Sequence, residues 1–420
     1  MSAEQYFQSL VSQVYRGLVE RSFNSALNIG EDSSRKHSDV PPLERTIVEE
    51  LIREALDNGL AYDEVVLEPD GEMRRPSSGS AARLVAFTRR LVSFAVKVDD
   101  GPKLVREART LRAMKGNHDL PASLREALPT VYAIKDDRPP YGYLFQFFRG
   151  YENLADLIFN AGSTRYPCER ALGRAMDLLF GAYQATAGAL DFPLRPDPSK
   201  LFLERIRERV AAARRDPEFD QLARQPLRFH NVQVPSLAEC LDRLEAGWEL
   251  FAPRVAAPFA TFTHGDPHPE NILVRITPAE VTIRLIDPKE WGWGDYVFDV
   301  AKLTHYLKFT GPAEKWTTPL RASLTKNGAV TEVTFSGGGP SYAEQLATDV
   351  LERAAGFASA TTPLDTNWRE RYQLAFAANL LGLPATRLEK GLREAATVYL
   401  MAGTRALADF LDGPQSQGAV

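Results

Sequence analysis

A polar segment with the sequence HGDPHPEN runs from His264 to Asn271 and is followed by the apolar run ILV. It contains two histidines, two acids and an asparagine, which are side chains that bind cations or exchange protons. Asp266 lies five residues before Asn271, and Pro267 and Pro269 stiffen the loop between them. A carboxylate held in this way is suited to accept a proton from a hydroxyl nucleophile. We therefore predict that Asp266 is a catalytic base.

Two strand-like segments follow this loop and are joined by the turn sequence TPAE. Asn271 immediately precedes the first segment, ILVRI, and Asp287 follows the second, VTIRLI. If the segments pair as an antiparallel hairpin, both side chains lie at the same open end, about 5 Å apart. An amide oxygen and a carboxylate oxygen suit a hard cation such as Mg²⁺. The D-x-x-x-x-N spacing, with a further Asp beyond a hairpin, is also that of the base and metal ligands in protein kinases.

A second pair of charged residues lies near the N-terminus. In the segment LVSFAVKV, strand alternation places the bulky residues on one face and Lys97 on the other. The next helix has an apolar stripe formed by Leu104, Ala108 and Leu111, and Glu107 lies on that stripe. A carboxylate that faces a core is costly unless it is paired. We therefore predict that Glu107 pairs with Lys97, and that Lys97 binds the phosphates of a nucleotide.

The elements that must position these residues follow from the apolar patterns. The first 62 residues are predicted to form a helical extension and a polar linker, with an amphipathic N-terminal helix that packs on the body or mediates association with itself or a partner. Five strand-like segments and one helix then indicate a small lobe over residues 63–150. Mostly helical sequence fills a larger lobe, 151–420, which also carries a hairpin signal at Asn327-Gly328. The fold class predicted is α+β.

Composition bounds the function further. The 420 residues include 50 Lys and Arg against 55 Asp and Glu, so the net charge of -5 gives no electrostatic case for nucleic acid. The two cysteines, Cys168 and Cys240, are far apart and form neither a disulfide framework nor a zinc cluster, which indicates a reducing cytoplasm. No signal peptide and no long apolar run is present, so we expect a soluble protein that does not enter a membrane.

The segments HGDPHPENILV and LIDPKEWGWGDYVFDVAKL together resemble the aminoglycoside phosphotransferase-like kinases, a family that includes antibiotic, choline, homoserine and sugar kinases. The resemblance covers roughly residue 64 to the end of the chain, and its specific part is 264–303. It implies a two-lobed, protein-kinase-like fold with a small five-stranded N-lobe and a larger, mostly helical C-lobe. It also implies transfer of the γ-phosphoryl group of ATP or GTP, with Mg²⁺, to a hydroxyl of a small molecule such as an aminoglycoside or other antibiotic, a sugar or an amino alcohol.

The family's functional positions can be carried over to this sequence. LFQFFRG would be the hinge that meets the adenine base, and the segment around Gly79 stands where the family has a phosphate-binding loop, although it has a single glycine between two serines. The predicted site residues are the base Asp266, the metal ligands Asn271 and Asp287, the nucleotide-binding residues Lys97, Glu107, Ser78, Gly79, Ser80, Gln146, Phe147 and Phe148, the supporting residues His264, His268 and Asp299, and the acceptor contacts Glu290 and Asp295.

Two other functions remain open on the sequence. His264, Asp266 and His268 could together bind a transition metal in a hydrolase, since imidazole and carboxylate suit Zn²⁺. That function would leave Asn271 and Lys97 without a role. The other alternative is a catalytically weak, nucleotide-binding regulatory module on the same fold, which the altered phosphate loop would suit.

Overall fold

The computed structural model describes residues 45–57, 68–69, 83–88, 93–187, 197–288 and 292–413, together with Phe7, Gln8, Val11, Ser12 and Tyr15. These residues fall into two compact units. The first unit contains the described residues up to 118 and residues 125–151 and 284–287. The second contains 119–124, 152–283 and the described residues from 288 onward.

The first unit is built on a five-stranded sheet in the order β1-β2-β3-β5-β4. Every neighbouring pair is antiparallel. The strands are β1 (Glu68–Pro69), β2 (Arg83–Thr88), β3 (Ser93–Asp99), β4 (Val131–Lys135) and β5 (Tyr141–Phe147). The central strand β3 carries Lys97, and the pairing of β3 with β5 fixes its position.

Helices pack against this sheet in the first unit. Helix α1 (Arg45–Asp57) buries its apolar face on Phe94, Val96 and Val98, which alternation places on one face of β3. Phe7 and Val11 belong to the same apolar cluster, so these two N-terminal helical positions bury their side chains within the unit. Helix α2 (Lys103–Gly116) follows β3 directly, and α3 (Ala122–Ala127) comes next in the chain.

Among the described residues, three small sheets lie in or largely in the second unit. They are ordered β11-β10-β6, β12-β9 and β13-β14-β7-β8. In the last sheet β14 pairs in parallel with β7, and Gly328, with φ of +62°, forms the tight turn between β13 and β14. The strands are β6 (Glu152–Asn153), β7 (Leu227–Phe229), β8 (Val232–Val234), β9 (Thr261–Thr263), β10 (Ile272–Ile276), β11 (Val281–Leu285), β12 (Gly292–Gly294), β13 (Arg321–Asn327) and β14 (Val330–Ser336).

Helices make up most of the second unit. They are α4 (Leu154–Phe159), α5 (Arg165–Thr186), α6 (Arg205–Ala213), α7 (Pro217–Ala223), α8 (Leu237–Ala246), α9 (Trp248–Phe251), α10 (Tyr296–His305), α11 (Gly311–Glu314), α12 (Ala343–Ala360), α13 (Trp368–Leu381), α14 (Pro384–Glu389) and α15 (Arg393–Asp412). A π-helical turn, Tyr306–Thr310, continues α10. The mixed α+β class predicted from the sequence is confirmed. Among the helices of the described ranges, none has the length and apolarity needed to span a bilayer.

Candidate active site

Lys97, Glu107 and Asp287 form a buried cluster of charges within the first unit. The Nζ atom of Lys97 lies 2.8 Å from Oε1 of Glu107 and 3.2 Å from Oδ1 of Asp287. Lys97 is held by the register of β3, while Glu107 projects from α2 between the buried residues Leu104 and Leu111. The hydroxyl of Tyr143, on the neighbouring strand β5, donates to the same Glu107 oxygen. An ammonium is thus fixed in space by two carboxylates from distant parts of the chain.

The charges of this cluster influence one another's pKa. Burial opposes the charge on Lys97, but the carboxylates of Asp287 and Glu107 outweigh it and raise the pKa above the ordinary value. Burial, together with the charge of Asp287, raises the pKa of Glu107 to about 7, although Lys97 partly offsets both. Burial raises the pKa of Tyr143 well above its usual value. The lysine therefore stays charged at neutral pH.

Asp287 has an unusual backbone conformation. Its φ is +52°, in the left-handed region that few non-glycine residues occupy, although Asp is one of those that tolerate it. The residue lies two positions after the end of β11, so this turn of the backbone decides where its carboxylate points. About 38% of its side chain is exposed, whereas Lys97 is 7% exposed, so this carboxylate can reach a ligand from solvent while it contacts the lysine.

The predicted hinge lies at the end of β5. The backbone N–H of Gln146 donates to the carbonyl of Thr130, at 2.8 Å, so this group already has a partner inside the sheet. Phe147 is the last residue of β5, and the ring of the buried Phe148 lies under the guanidinium of Arg284, at 5.3 Å. Ser78, Gly79 and Ser80 of the predicted phosphate loop, and the predicted acceptor contact Glu290, lie outside the described residues.

The polar loop at His264 to Asn271 begins where β9 ends, in the second unit. Asp299, fully buried on α10, accepts the backbone N–H of His264 at 2.7 Å and that of Gly265 at 2.8 Å. Tyr183 donates its hydroxyl to the same carboxylate at 2.8 Å. Gly265 has φ of +78°, a conformation that favours glycine, which explains the glycine of the motif. Burial raises the pKa of Asp299 to about 7, although the hydrogen bonds of these three donors act in the opposite direction.

Asp266 is the next residue along the loop, and its side chain is 2% exposed. Its Oδ1 atom lies 3.1 Å from Nζ of Lys302, which projects from α10. The side-chain amide of Asn271 donates from Nδ2 to the carbonyl of Asp266 at 3.0 Å. Because the amide nitrogen is used in this way, the orientation of the Asn271 side chain is set and its oxygen points elsewhere.

The two histidines of the motif contact the loop itself and the π-helical turn that continues α10. Nδ1 of His264 accepts the backbone N–H of Asp266 at 3.3 Å. The ring of His268 stacks on Tyr306, with centroids 5.6 Å apart and an interplanar angle of 7°. Nε2 of His268 is 3.8 Å from the Asp266 carboxylate, beyond hydrogen-bond distance. In the part of the chain that the structure describes, no three His, Cys, Asp or Glu side chains converge as a metal-binding group.

Asp295 does not occupy the position that an acceptor contact requires. It is 3% exposed, and it caps α10 by accepting the backbone N–H of Val297 at 3.2 Å. Its Oδ2 atom accepts from Nε of the fully buried Arg371 at 2.7 Å, and Asp365 completes this ion-pair network. The carboxylate is therefore committed to the interior of the second unit, and we do not retain Asp295 as an acceptor contact.

Sequence reasoning missed two residues of these clusters, Tyr143 and Lys302. Tyr143 on β5 lies directly opposite Lys97 on β3. Side chains of directly opposite residues lie on the same face of a sheet, so strand alternation gave a signal for Tyr143. Lys302 lies three residues after Asp299, so both project from the same side of α10. The available signal for Lys302 was its place in the helix: it lies one turn after a buried acid, and most other residues of the helix are buried.

Each unit thus contributes a different chemical capacity. The first presents a fixed ammonium of the kind that binds phosphate groups, next to the partly exposed carboxylate of Asp287. The second presents the carboxylate of Asp266 in a loop held at its backbone, followed by the amide of Asn271. A phosphate-binding cation and a positioned carboxylate are two of the components that phosphoryl transfer to a hydroxyl requires.

Comparison with known proteins gives one match over most of this region. The model of the family described as Phosphotransferase enzyme family matches residues 72–332, which is more than half of the chain. No curated protein matches the chain significantly.

Several solved structures are distantly similar. A protein described as a candidate aminoglycoside phosphotransferase, from Ralstonia eutropha JMP134, is 12% identical with a TM-score of 0.49, over 84% of this chain and 98% of that one. Aminoglycoside phosphotransferase APH(4)-Ia is 15% identical with a TM-score of 0.46, over 86% and 99% of the two chains. A microcompartment-associated aminopropanol kinase is 14% identical with a TM-score of 0.42, over 85% and 94%.

Proposed function

Because the chain belongs to the phosphotransferase enzyme family, we propose that it transfers the γ-phosphoryl group of ATP or GTP to a hydroxyl of a small molecule. The acceptor classes we propose are an aminoglycoside or other antibiotic, a sugar, or an amino alcohol. The observation that carries the proposal is the position of Asp266. Its carboxylate is buried, and it lies in a loop whose backbone N–H groups donate to Asp299. Phosphoryl transfer needs positioned charges more than covalent chemistry, and this loop supplies one.

In the proposed reaction, the oxygen of the acceptor hydroxyl bonds to the γ-phosphorus, and Asp266 accepts the proton of that hydroxyl. The bond from that phosphorus to the β-phosphate oxygen breaks, and a nucleoside diphosphate leaves. Two contacts support this role for Asp266: its carboxylate lies 3.1 Å from Nζ of Lys302, and its backbone N–H donates to Nδ1 of His264. A base in the correct position contributes about 10²–10⁴-fold to the rate of such a step.

Lys97 is proposed to bind the α- and β-phosphates of the nucleotide, and Glu107 to orient it. The contact between Lys97 and Glu107, at 2.8 Å, supports this pairing. The hydroxyl of Tyr143 donates to the same Glu107 oxygen. We propose that the segment of Ser78, Gly79 and Ser80 covers the phosphates. We propose that the adenine or guanine base meets the backbone of residues 146–148; since the N–H of Gln146 is already used, the contact there would come from the other backbone groups.

Asn271 and Asp287 are proposed as the ligands of Mg²⁺. An amide oxygen and a carboxylate oxygen form the donor set that Mg²⁺ prefers, with the remaining positions left to phosphate and water. The residues fit this role, because the Asn271 amide nitrogen is already used and the Asp287 carboxylate is partly exposed. Bound there, the ion would neutralise charge on the nucleotide phosphates.

The test is a nucleotide-consumption screen with Mg²⁺ and ATP or GTP over a panel of hydroxyl-bearing small molecules. The panel should include aminoglycosides, other antibiotics, sugars and amino alcohols. We expect at least one acceptor to stimulate turnover, and Asp266→Ala to lower kcat about 10²–10⁴-fold while its nucleotide affinity stays nearly the same.

Two outcomes would contradict the proposal. Full transfer activity in Asp266→Ala would refute the role of the carboxylate. Nucleotide binding without turnover, across a broad panel, would favour the regulatory module instead. An exposed acid on α8 supplies a matched control, since Asp242→Asn removes a carboxylate far along the chain from the loop and should leave kcat unchanged.

A further inference from the structure

One turn of α10 contacts three consecutive residues of the catalytic loop. Asp299 accepts the backbone N–H groups of His264 and Gly265, at 2.7 and 2.8 Å. Lys302, three residues later on the same side of the helix, reaches the side chain of Asp266 at 3.1 Å. All of these residues belong to the second unit. The first two contacts fix the course of the loop, and the third reaches the proposed base itself.

The charges in this region require a cation. Asp266 is 2% exposed and Asp299 is fully buried, and their mutual repulsion is felt, since the charge of Asp266 contributes to raising the pKa of Asp299. A buried carboxylate such as that of Asp266 is unfavourable unless a positive charge compensates it. The Lys302 side chain is 12% exposed, so its ammonium is largely withdrawn from water. It therefore acts on Asp266 at short range and with little screening.

We propose that Lys302 is a positioning residue for phosphoryl transfer: its ammonium holds the Asp266 carboxylate oriented toward the acceptor hydroxyl. This inference rests on the proposed function. During transfer the proton of the acceptor O–H passes to Asp266 as the new P–O bond forms and the bond to the leaving diphosphate breaks. Asp266 can accept that proton only while its carboxylate is directed at the hydroxyl, and the contact with Lys302 maintains that direction.

A purely structural role for Lys302 makes different predictions. A lysine that only neutralised buried charge would affect the free energy of unfolding, and its loss would leave the kcat of the folded protein unchanged. A positioning residue acts through Asp266, so its removal should have little further effect once Asp266 no longer serves as a base. The two roles can therefore be separated by combining substitutions.

The experiment measures kcat, KM and nucleotide affinity for the full chain with Mg·ATP, using the best acceptor from the panel and, in parallel, water as acceptor. The variants are Lys302→Met, Lys302→Arg, and Asp266→Asn alone and combined with Lys302→Met. The matched control is Lys135→Met, which removes another buried ammonium, one that pairs with Asp137 at 2.5 Å in the first unit. Hydrogen exchange of the segment 264–271 is followed in each protein.

We expect Lys302→Met to lower kcat by about 10²-fold or more, the usual effect of removing one preorganised charge, with nucleotide affinity changed less than about 3-fold. Lys302→Arg should recover at least about 10-fold of the loss. The combined variant should be no slower than Asp266→Asn alone, and Lys135→Met should keep kcat near that of the unaltered chain. Exchange in 264–271 should be faster in Lys302→Met and restored by Lys302→Arg.

The inference is overturned if a folded Lys302→Met keeps the kcat of the unaltered chain, or if the combined variant is slower than Asp266→Asn by the full effect of Lys302→Met. It is also overturned if exchange of 264–271 is unchanged in Lys302→Met. If the unaltered chain turns over no nucleotide with any acceptor, the proposed function fails, and the exchange measurement still decides whether Lys302 holds the loop. If Lys302→Met does not fold, Lys302→Arg and Lys302→Gln carry the same comparisons.

Discussion

Replacing Asp299 with asparagine should change how the stability of the protein depends on pH. Asp299 is fully buried, and burial raises its pKa from 3.8 to about 7. In the unfolded chain the carboxyl loses its proton above pH 4, whereas in the folded protein it keeps the proton until about pH 7. Unfolding therefore releases a proton in this interval. The stability contributed by Asp299 is fully present below pH 4 and is lost as the pH rises to about 7.

The size of this effect follows from the shift. Each pH unit between the two pKa values changes the free energy of unfolding by about 1.4 kcal/mol, so raising the pH from 5 to 6.5 should remove about 2 kcal/mol. Asparagine resembles the protonated acid in shape and charge but does not titrate. It also supplies a single acceptor oxygen where Tyr183, His264 and Gly265 all donate, so Asp299→Asn should be about 1–3 kcal/mol less stable than the unaltered chain at pH 5, where both side chains are neutral.

The assay is urea unfolding of the unaltered chain and Asp299→Asn at both pH values, with Asp242→Asn, an exposed acid on α8, as the control. Other acids titrate alike in both proteins, so the difference in free energy of unfolding isolates Asp299. That difference should fall by about 2 kcal/mol between pH 5 and pH 6.5. A difference that stays constant within about 0.5 kcal/mol would refute the reasoning. It would mean that the three donors outweigh burial and hold the carboxylate as an anion.

Two further substitutions test the charge clusters. Lys97→Met should raise the dissociation constant of a fluorescent nucleotide analogue by about 10-fold or more, because it removes the fixed ammonium. Lys135→Met should leave that constant within about 2-fold of the value for the unaltered chain. Equal effects of the two substitutions would contradict the phosphate-binding role of Lys97. Arg371→Met leaves Asp295 and Asp365 buried without their cation, so it should lower the free energy of unfolding by about 3–5 kcal/mol in urea titrations. A change in acceptor KM with undiminished stability would instead favour Asp295 as an acceptor contact.

Much of the first unit could be predicted from the sequence because its signals are local. Strand alternation in LVSFAVKV separated Phe94, Val96 and Val98 from Lys97, and the structure buries the three apolar residues against α1. The apolar stripe of the next helix identified Glu107 as a buried acid that needs a partner, and the structure brings it within 2.8 Å of Lys97. Both arguments use residues within one or two turns or one strand, where the geometry is nearly fixed.

Long-range features had no such signal. The strands β7 and β8 lie in a stretch that was predicted to be mostly helical, because LRF and VQV are too short to show a period. The parallel pairing of β7 with β14 joins segments about a hundred residues apart, and nothing local in either specifies it. The same limit applies to Asp295, whose acidity suggested an acceptor contact. Its partner Arg371 is 76 residues away along the chain.

The charged residues of the segment GDYVFDVAKL all make contacts inside the second unit. Asp295 ties the start of α10 to Arg371 on α13, Asp299 holds the backbone of the loop, and Lys302 contacts the side chain of Asp266. A displacement of this helix would move all three contacts together, so the position of Asp266 depends on packing at α13, far along the chain. Because these charges are occupied by the protein itself, we expect the preference for one acceptor over another to arise from other residues.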